Sequence, residues 1–260
     1  MSTHSHSGLR TDEQELASFR AGAQEWWNPE GSFKPLHALQ PVRIRYIRDH
    51  LVSHFGREGR SLTPLKGLAI ADIGCGGGLL CEPLARLGAT VTGVDPVADS
   101  IETARRHAEG QGLVIRYVAG TAEDLAAAGE AFDAVIAMEV VEHVPDLGAF
   151  LKACADILKP GGLLLLSTIN RTARSYALAI VGAEYILRWL PKGTHRWEKF
   201  VTPDELGQAL TASGLDLIET KGCVFNPLGE GWQLSSDTAV NYFAAAARKP
   251  QGLRGAGRAA

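Results

Sequence analysis

The sequence predicts an α/β fold: a mixed, mostly parallel sheet covered by helices on both faces. Three observations carry that reading. Short apolar runs alternate with helical stretches through the middle of the chain. Those runs are almost continuously apolar, as strands buried on both faces are. A glycine-rich turn, DIGCGGG at 72–78, joins the first run to the first helix.

The elements follow in order. LAIADIG (68–74) is a buried strand that ends on glycine. GLLCEPLARLG (78–88) has helical spacing and stops at Gly88, a C-terminal capping position. TVTGVD (90–95) is the second strand, and ADSIETARRHAEGQG (98–112) a polar-faced helix. VIRYVAG (114–120) and FDAVIAME (132–139) are the third and fourth strands. DLGAFLKACADILKPGG (146–162) reads as a helix stopped by Pro160 and two glycines, and LLLLSTI (163–169) as the fifth strand. VTPDELGQAL opens a helix with Thr202 as N-cap, Pro203 in its first turn and Glu205 closing a capping box. LDLIETKGCVF and VNYFAAAARK add two strands, an antiparallel edge, for seven in all.

The organisation expected is a tail and helical cap over 1–60, a main domain over 61–248 with an insertion at 171–200, and a disordered tail over 249–260. The block WWNPEGSFKPLHALQPVRIRYI is too particular in composition for a linker and reads as a cap on the sheet. A chain of 260 residues, 45% hydrophobic and 21% charged, buries a sizeable core. A net charge of -3 gives no reason to expect a nucleic-acid partner. Cys75, Cys81, Cys154 and Cys223 form no C-x-x-C pair and read as reduced thiols. The N-terminus lacks the apolar stretch of a signal peptide.

Gly74, Gly76 and Gly78 make the pattern G-x-G-x-G, and position 79, where a dinucleotide loop wants its third glycine, is Leu79. Asp95 closes the second strand about twenty residues on, where an acid takes ribose hydroxyls. The layout suits S-adenosylmethionine, which has no pyrophosphate to cradle.

DIGCGGG, VTGVD, Ala122–Glu123 and LKPGG together resemble class I S-adenosylmethionine-dependent methyltransferases, whose fold is Rossmann-like. The resemblance implies that Gly74, Gly76 and Asp95 bind the cofactor, that Met138 packs near it, and that Ala122 and Glu123 line its adenine end. A narrower resemblance rests on WWNPEGSFKPLHALQPVRIRYI, EVVEHVPD, STINRT, VGAEYIL and PKGTH. These blocks are similar to the ubiquinone-biosynthesis O-methyltransferases, over about residues 15–245. The family methylates phenolic hydroxyls on polyprenylated precursors, and both O-methylation steps are implied. Arg43 then joins the cofactor site, suited to the cofactor's carboxylate as a charge-assisted pair. The sequence departs at Asn28, where related chains often carry an acid, and in its Arg/Ala/Gly-rich C-terminus.

A free phenol ionises near pH of about 10, so methylation needs a base or a metal. Glu139, Glu142 and His143 lie where the fourth strand breaks, at the carboxyl end of the sheet. On one helical turn all three share a face, a candidate site for Mg²⁺. The alternatives are His143 alone as a metal-free general base, with Glu142 the other residue assigned to catalysis, and a turn that only caps the following helix and holds the loop. Other readings of the whole chain stay open: a methyltransferase of another phenol or acid, or a non-catalytic scaffold of a biosynthetic complex.

The stretch SYALAIVGAEYILRWLPKGTHRW (175–197) is too short and too charged to span a bilayer, with Glu184 and Arg188 inside it. As a helix it gathers Leu178, Tyr185, Ile186, Trp189 and Leu190 on one side, with Lys192, His195, Arg196 and Lys199 following. It packs on protein or lies on a membrane surface, and a polyprenyl substrate favours the second. The expected location is cytoplasmic, peripheral on the inner face of the membrane.

Overall fold

The computed structural model describes residue 17 and residues 20–177, 197–226, 229 and 231–250. The cap helix α1 (Lys34–His54) precedes β1 (Ala69–Ile73), α2 (Cys81–Arg86) and β2 (Thr90–Asp95). Next come α3 (Ala98–Gly110), β3 (Arg116–Ala119), α4 (Ala122–Ala127), β4 (Phe132–Met138) and α5 (Leu147–Asp156). Then follow β5 (Leu158–Ile169), α6 (Pro203–Ala212), β6 (Leu215–Asn226), β7 (Gly231–Ser235) and β8 (Asn241–Arg248). The sheet order is β3-β2-β1-β4-β5-β8-β6-β7. Its first five strands are parallel, and β8, β6 and β7 complete it antiparallel.

Two of the sequence expectations need correcting. The sheet has eight strands, because GWQLS forms β7 against β6. With only Trp232 and Leu234 turned to the core and Gln233 exposed between them, these five edge residues are too short a run to stand out. The helix expected to run to Pro160 stops at Asp156, and Lys-Pro-Gly-Gly lies at the start of β5. There the β4–β5 register shifts, and Gly161 takes a φ of 78° that suits glycine.

Period-two alternation divides the core between the two faces of the sheet. Ala134, Ile136, Leu163 and Leu165 face α1, α2 and α3, packed with Tyr46, Ile47, Leu51 and Leu84. Val135, Ala137, Leu164 and Leu166 face the other way, onto Phe150 and Leu151 of α5 and Leu206 and Leu210 of α6. Each such leucine contributes about 1.5–3 kcal/mol by leaving water. The cap helix α1 is thus part of the main core, and Tyr46 stacks on Phe243 of β8 at 4.6 Å. The Thr202–Glu205 capping box forms as expected, with mutual hydrogen bonds of 3.2 and 3.0 Å. All four cysteines are buried and free. Among the described residues no helix is long and apolar enough to cross a membrane.

The order in which strands are added reverses between β1 and β4, which are hydrogen-bonded and parallel neighbours. Outside their carboxyl ends lies the crevice where ligands bind in open α/β sheets.

Candidate active site

The glycine turn leaves β1 at Gly74, with φ of 71° there, 51° at Gly76 and 86° at Gly78. These left-handed values require glycine. The N–H groups of Gly74 and Cys75 both donate to the Val94 carbonyl, at 2.8 and 3.0 Å, and tie the turn to β2. Asp95 is gripped from two sides: Gly76 N–H donates to Oδ2 at 2.9 Å and Val97 N–H to Oδ1 at 2.8 Å. Burial nevertheless pushes the Asp95 carboxyl up to about 6, against the pull of those two N–H groups. Asp72, just below, is pushed up to about 7 by burial, offset by a 3.1 Å hydrogen bond from the Cys81 thiol and by the charge of Arg43.

The cap supplies something the sequence did not announce. A Cβ at Gly76 would lie 2.3 Å from the Trp26 ring, and one at Gly77 would lie 2.3 Å from Trp26 Cβ. Trp26 Nε1 donates to Ser100 Oγ at 3.0 Å, and Trp27 Nε1 to the Gly77 carbonyl at 2.9 Å. Trp27 also stacks on His107 at 3.5 Å. The loop glycines therefore answer to two tryptophans as well as to a ligand. Gln40 of α1 donates to the Leu79 carbonyl and completes the seam.

At the end of β4, Met138 is buried and Glu139 follows with a φ of 53°, the left-handed region that a side chain rarely adopts. Glu139 Oε2 accepts from Arg43 Nη1 at 2.7 Å and Oε1 accepts from Ser167 Oγ at 2.7 Å. Val140 packs on Gly74, where an added Cβ would meet it at 2.6 Å. The chain then turns, with His143 N–H donating to the Val140 carbonyl at 2.9 Å. Glu142 is buried and accepts from Thr168 Oγ1 at 2.9 Å. Burial raises its carboxyl, while the neighbouring His143 lowers it. Glu123 stands half-buried in the first turn of α4, beyond β3.

With this geometry in place, comparison with known proteins separates the readings. A methyltransferase-domain model matches residues 71–166. The ubiquinone biosynthesis O-methyltransferase of Azorhizobium caulinodans is 56% identical over 232 residues, 89% of this chain and 92% of that protein. Its counterpart in Dinoroseobacter shibae is 57% identical over 238 residues, 91% and 96% of the two chains. The chain belongs to the ubiquinone biosynthesis O-methyltransferase family. The solved magnesium protoporphyrin IX methyltransferase of Synechocystis, with bound S-adenosylhomocysteine, shares the fold at a TM-score of 0.65 and 20% identity, over 92% of this chain and 100% of that one.

Of the residues expected at the cofactor, Gly74, Gly76, Asp95, Arg43 and Met138 gather around the β1–β4 crevice, and Glu123 lies further along the sheet edge. Arg43 is 3% exposed, and its Nε has no hydrogen-bond partner among the described residues. An orphaned cationic donor next to the turn after β4 fits the carboxylate of S-adenosylmethionine. Mg²⁺ fits less well. Among the described residues no three His, Cys, Asp or Glu side chains stand where they could hold a metal. The left-handed backbone of Glu139 takes it off the 141–143 turn, its two oxygens serve Arg43 and Ser167, and Glu142 points into the core. The expectation of a shared helical face for Glu139, Glu142 and His143 fails at that one dihedral angle.

Sequence reasoning also missed how STINRT works. Ser167 serves Glu139 and Thr168 serves Glu142. Asn170 donates to the Thr238 carbonyl at 2.9 Å, and Thr172 to the Ala239 carbonyl at 2.7 Å. Arg171 binds Glu205 and the Phe200 carbonyl. Only the run of small polar residues closing an apolar strand hinted at it.

Proposed function

We propose that this chain methylates phenolic hydroxyls of polyprenylated catechol intermediates in ubiquinone biosynthesis, at both O-methylation steps. The observation that carries this is the meeting of Asp95, the glycine turn and Arg43 at one crevice with the EVVEH turn on its rim, in a chain more than half identical to named family members. When bound, S-adenosylmethionine supplies a methyl group on a cationic sulfur. Asp95 receives the ribose hydroxyls, Arg43 the carboxylate, and Met138 packs beside them. Ala122 and Glu123 border the adenine end.

His143, half-buried on the rim, takes the proton of the phenol as its oxygen becomes the nucleophile. Glu142 holds the turn that presents His143. Alignment of the phenol oxygen with the methyl carbon supplies most of the remaining acceleration.

The segment 175–197 is the proposed contact with lipid. Its named residues Tyr185, Trp189 and Leu190 lie outside the described residues. At its margins Trp197 Nε1 donates to the Thr172 carbonyl at 3.1 Å and Tyr176 meets Trp197 edge to face, so its two ends are drawn together beside β5. A polyprenyl tail dissolves poorly in water, so the enzyme must meet its substrate at a membrane surface or receive it from a partner in a biosynthetic complex.

The deciding experiment is methyl transfer from S-adenosylmethionine to a short-chain prenyl catechol. Product should form, and His143→Gln should slow it by about 10²-fold or more. Cofactor binding without any methylation of prenyl catechols removes the proposal.

A further inference from the structure

The N–H and both carboxylate oxygens of Glu139 are engaged. Its N–H donates to the Ser167 hydroxyl at 3.0 Å, its Oε1 accepts from that same hydroxyl, and its Oε2 accepts from Arg43. The left-handed backbone that permits this is costly for a residue with a side chain, and such strain persists only where the surroundings enforce it. Arg43 has a second pair of acceptors, the Leu36 carbonyl at 2.9 Å and Gln40 Oε1 at 2.6 Å. Its guanidinium is fixed from three directions, with Nε left buried and unspent within the described residues.

We propose that Glu139 is a positioning residue for Arg43 and not a metal ligand. By bridging from β4 to the cap helix it holds the guanidinium in one pose before cofactor arrives. It also compensates a buried charge that would otherwise be costly. The cofactor's carboxylate then pairs with a guanidinium whose buried Nε has no partner among the described residues. The proposal rests on the reading of S-adenosylmethionine at this crevice.

The test is calorimetric binding of S-adenosylhomocysteine to the full chain, for wild type, Glu139→Gln, Arg43→Met and the double variant, each with Mg²⁺ and with EDTA. Glu139→Gln should weaken binding about tenfold or more, the scale of one charge-assisted hydrogen bond. The double variant should bind no worse than Arg43→Met alone, because both changes break one device. In turnover, the loss should fall on KM for the cofactor more than on kcat. EDTA should leave wild-type binding unchanged.

Glu139→Gly guards against a folding artefact. It removes the carboxylate but relieves the left-handed backbone, so a well-folded protein should still bind weakly. Unchanged affinity in Glu139→Gln or Glu139→Gly overturns the proposal. So do additive losses in the double variant, or loss of a wild-type Mg²⁺ effect on replacing Glu139. A wild type that binds no S-adenosylhomocysteine overturns the cofactor reading itself.

Discussion

The two ends of the crevice are built by different means. At the β1–β2 end, backbone does the holding: N–H groups of Gly76 and Val97 fix Asp95, and left-handed glycines shape the turn. At the β4–β5 end, side chains hold side chains: Arg43 and Ser167 on Glu139, Thr168 on Glu142. A backbone cradle leaves little to vary by substitution, whereas a cluster held by side chains can be re-cut residue by residue while the sheet stays as it is.

The first end should therefore be intolerant of any added atom. Gly77→Ala places a Cβ on Trp26 and should cost about 3 kcal/mol, read as a fall in Tm, with Trp26→Ala recovering part of it in the same chain. Full stability in Gly77→Ala would dissolve the distinction. At the second end, Thr168→Val removes the donor to buried Glu142 and should cost about 1–3 kcal/mol in urea unfolding. A neutral result there would mean that Glu142 is already satisfied elsewhere.

Acid probes the first end through its buried carboxyls. Asp95 and Asp72 hold their protons more tightly in the folded chain than when unfolded, since burial raises them to about 6 and about 7. Their contribution favours the fold at low pH and is lost as pH rises through those values. Cofactor binding runs the other way, because a protonated Asp95 accepts the ribose hydroxyls less well. Affinity for S-adenosylhomocysteine should fall by up to about tenfold per pH unit below about 6 and hold steady above it. A flat profile from calorimetry would place the ribose elsewhere. The smallest effect belongs to neither end: Arg116→Gln on β3 breaks a surface pair with Glu130 and should change stability by less than about 1 kcal/mol.

What the sequence revealed follows the same division. The parallel strands, the glycine turn, Asp95 and the Thr202 capping box were legible because each is a local pattern of one residue class at fixed spacing. Glu139 was legible as a residue of the turn that ends β4 but not in its contacts. Spacing on an ideal helix placed it with Glu142 and His143, and only its φ of 53° shows that it belongs to Arg43. The docking of Trp26 on Gly76 and Gly77 spans fifty residues and leaves no periodic trace. Strand β7 was hidden because an edge strand with one partner needs no apolar pattern.

The seam between cap and sheet bears on what can be cut from this chain. The region matched by the methyltransferase-domain model begins at residue 71, after α1. Excising it there would strip Tyr46, Ile47 and Leu51 from one face of the sheet, free Gly77 from its tryptophans and leave Glu139 without its cation. The catalytic fold shared with so many other enzymes is, in this chain, not a separable module. Trp26, Trp27, Gln40 and Arg43 tie the cap to the glycine turn and to the turn after β4.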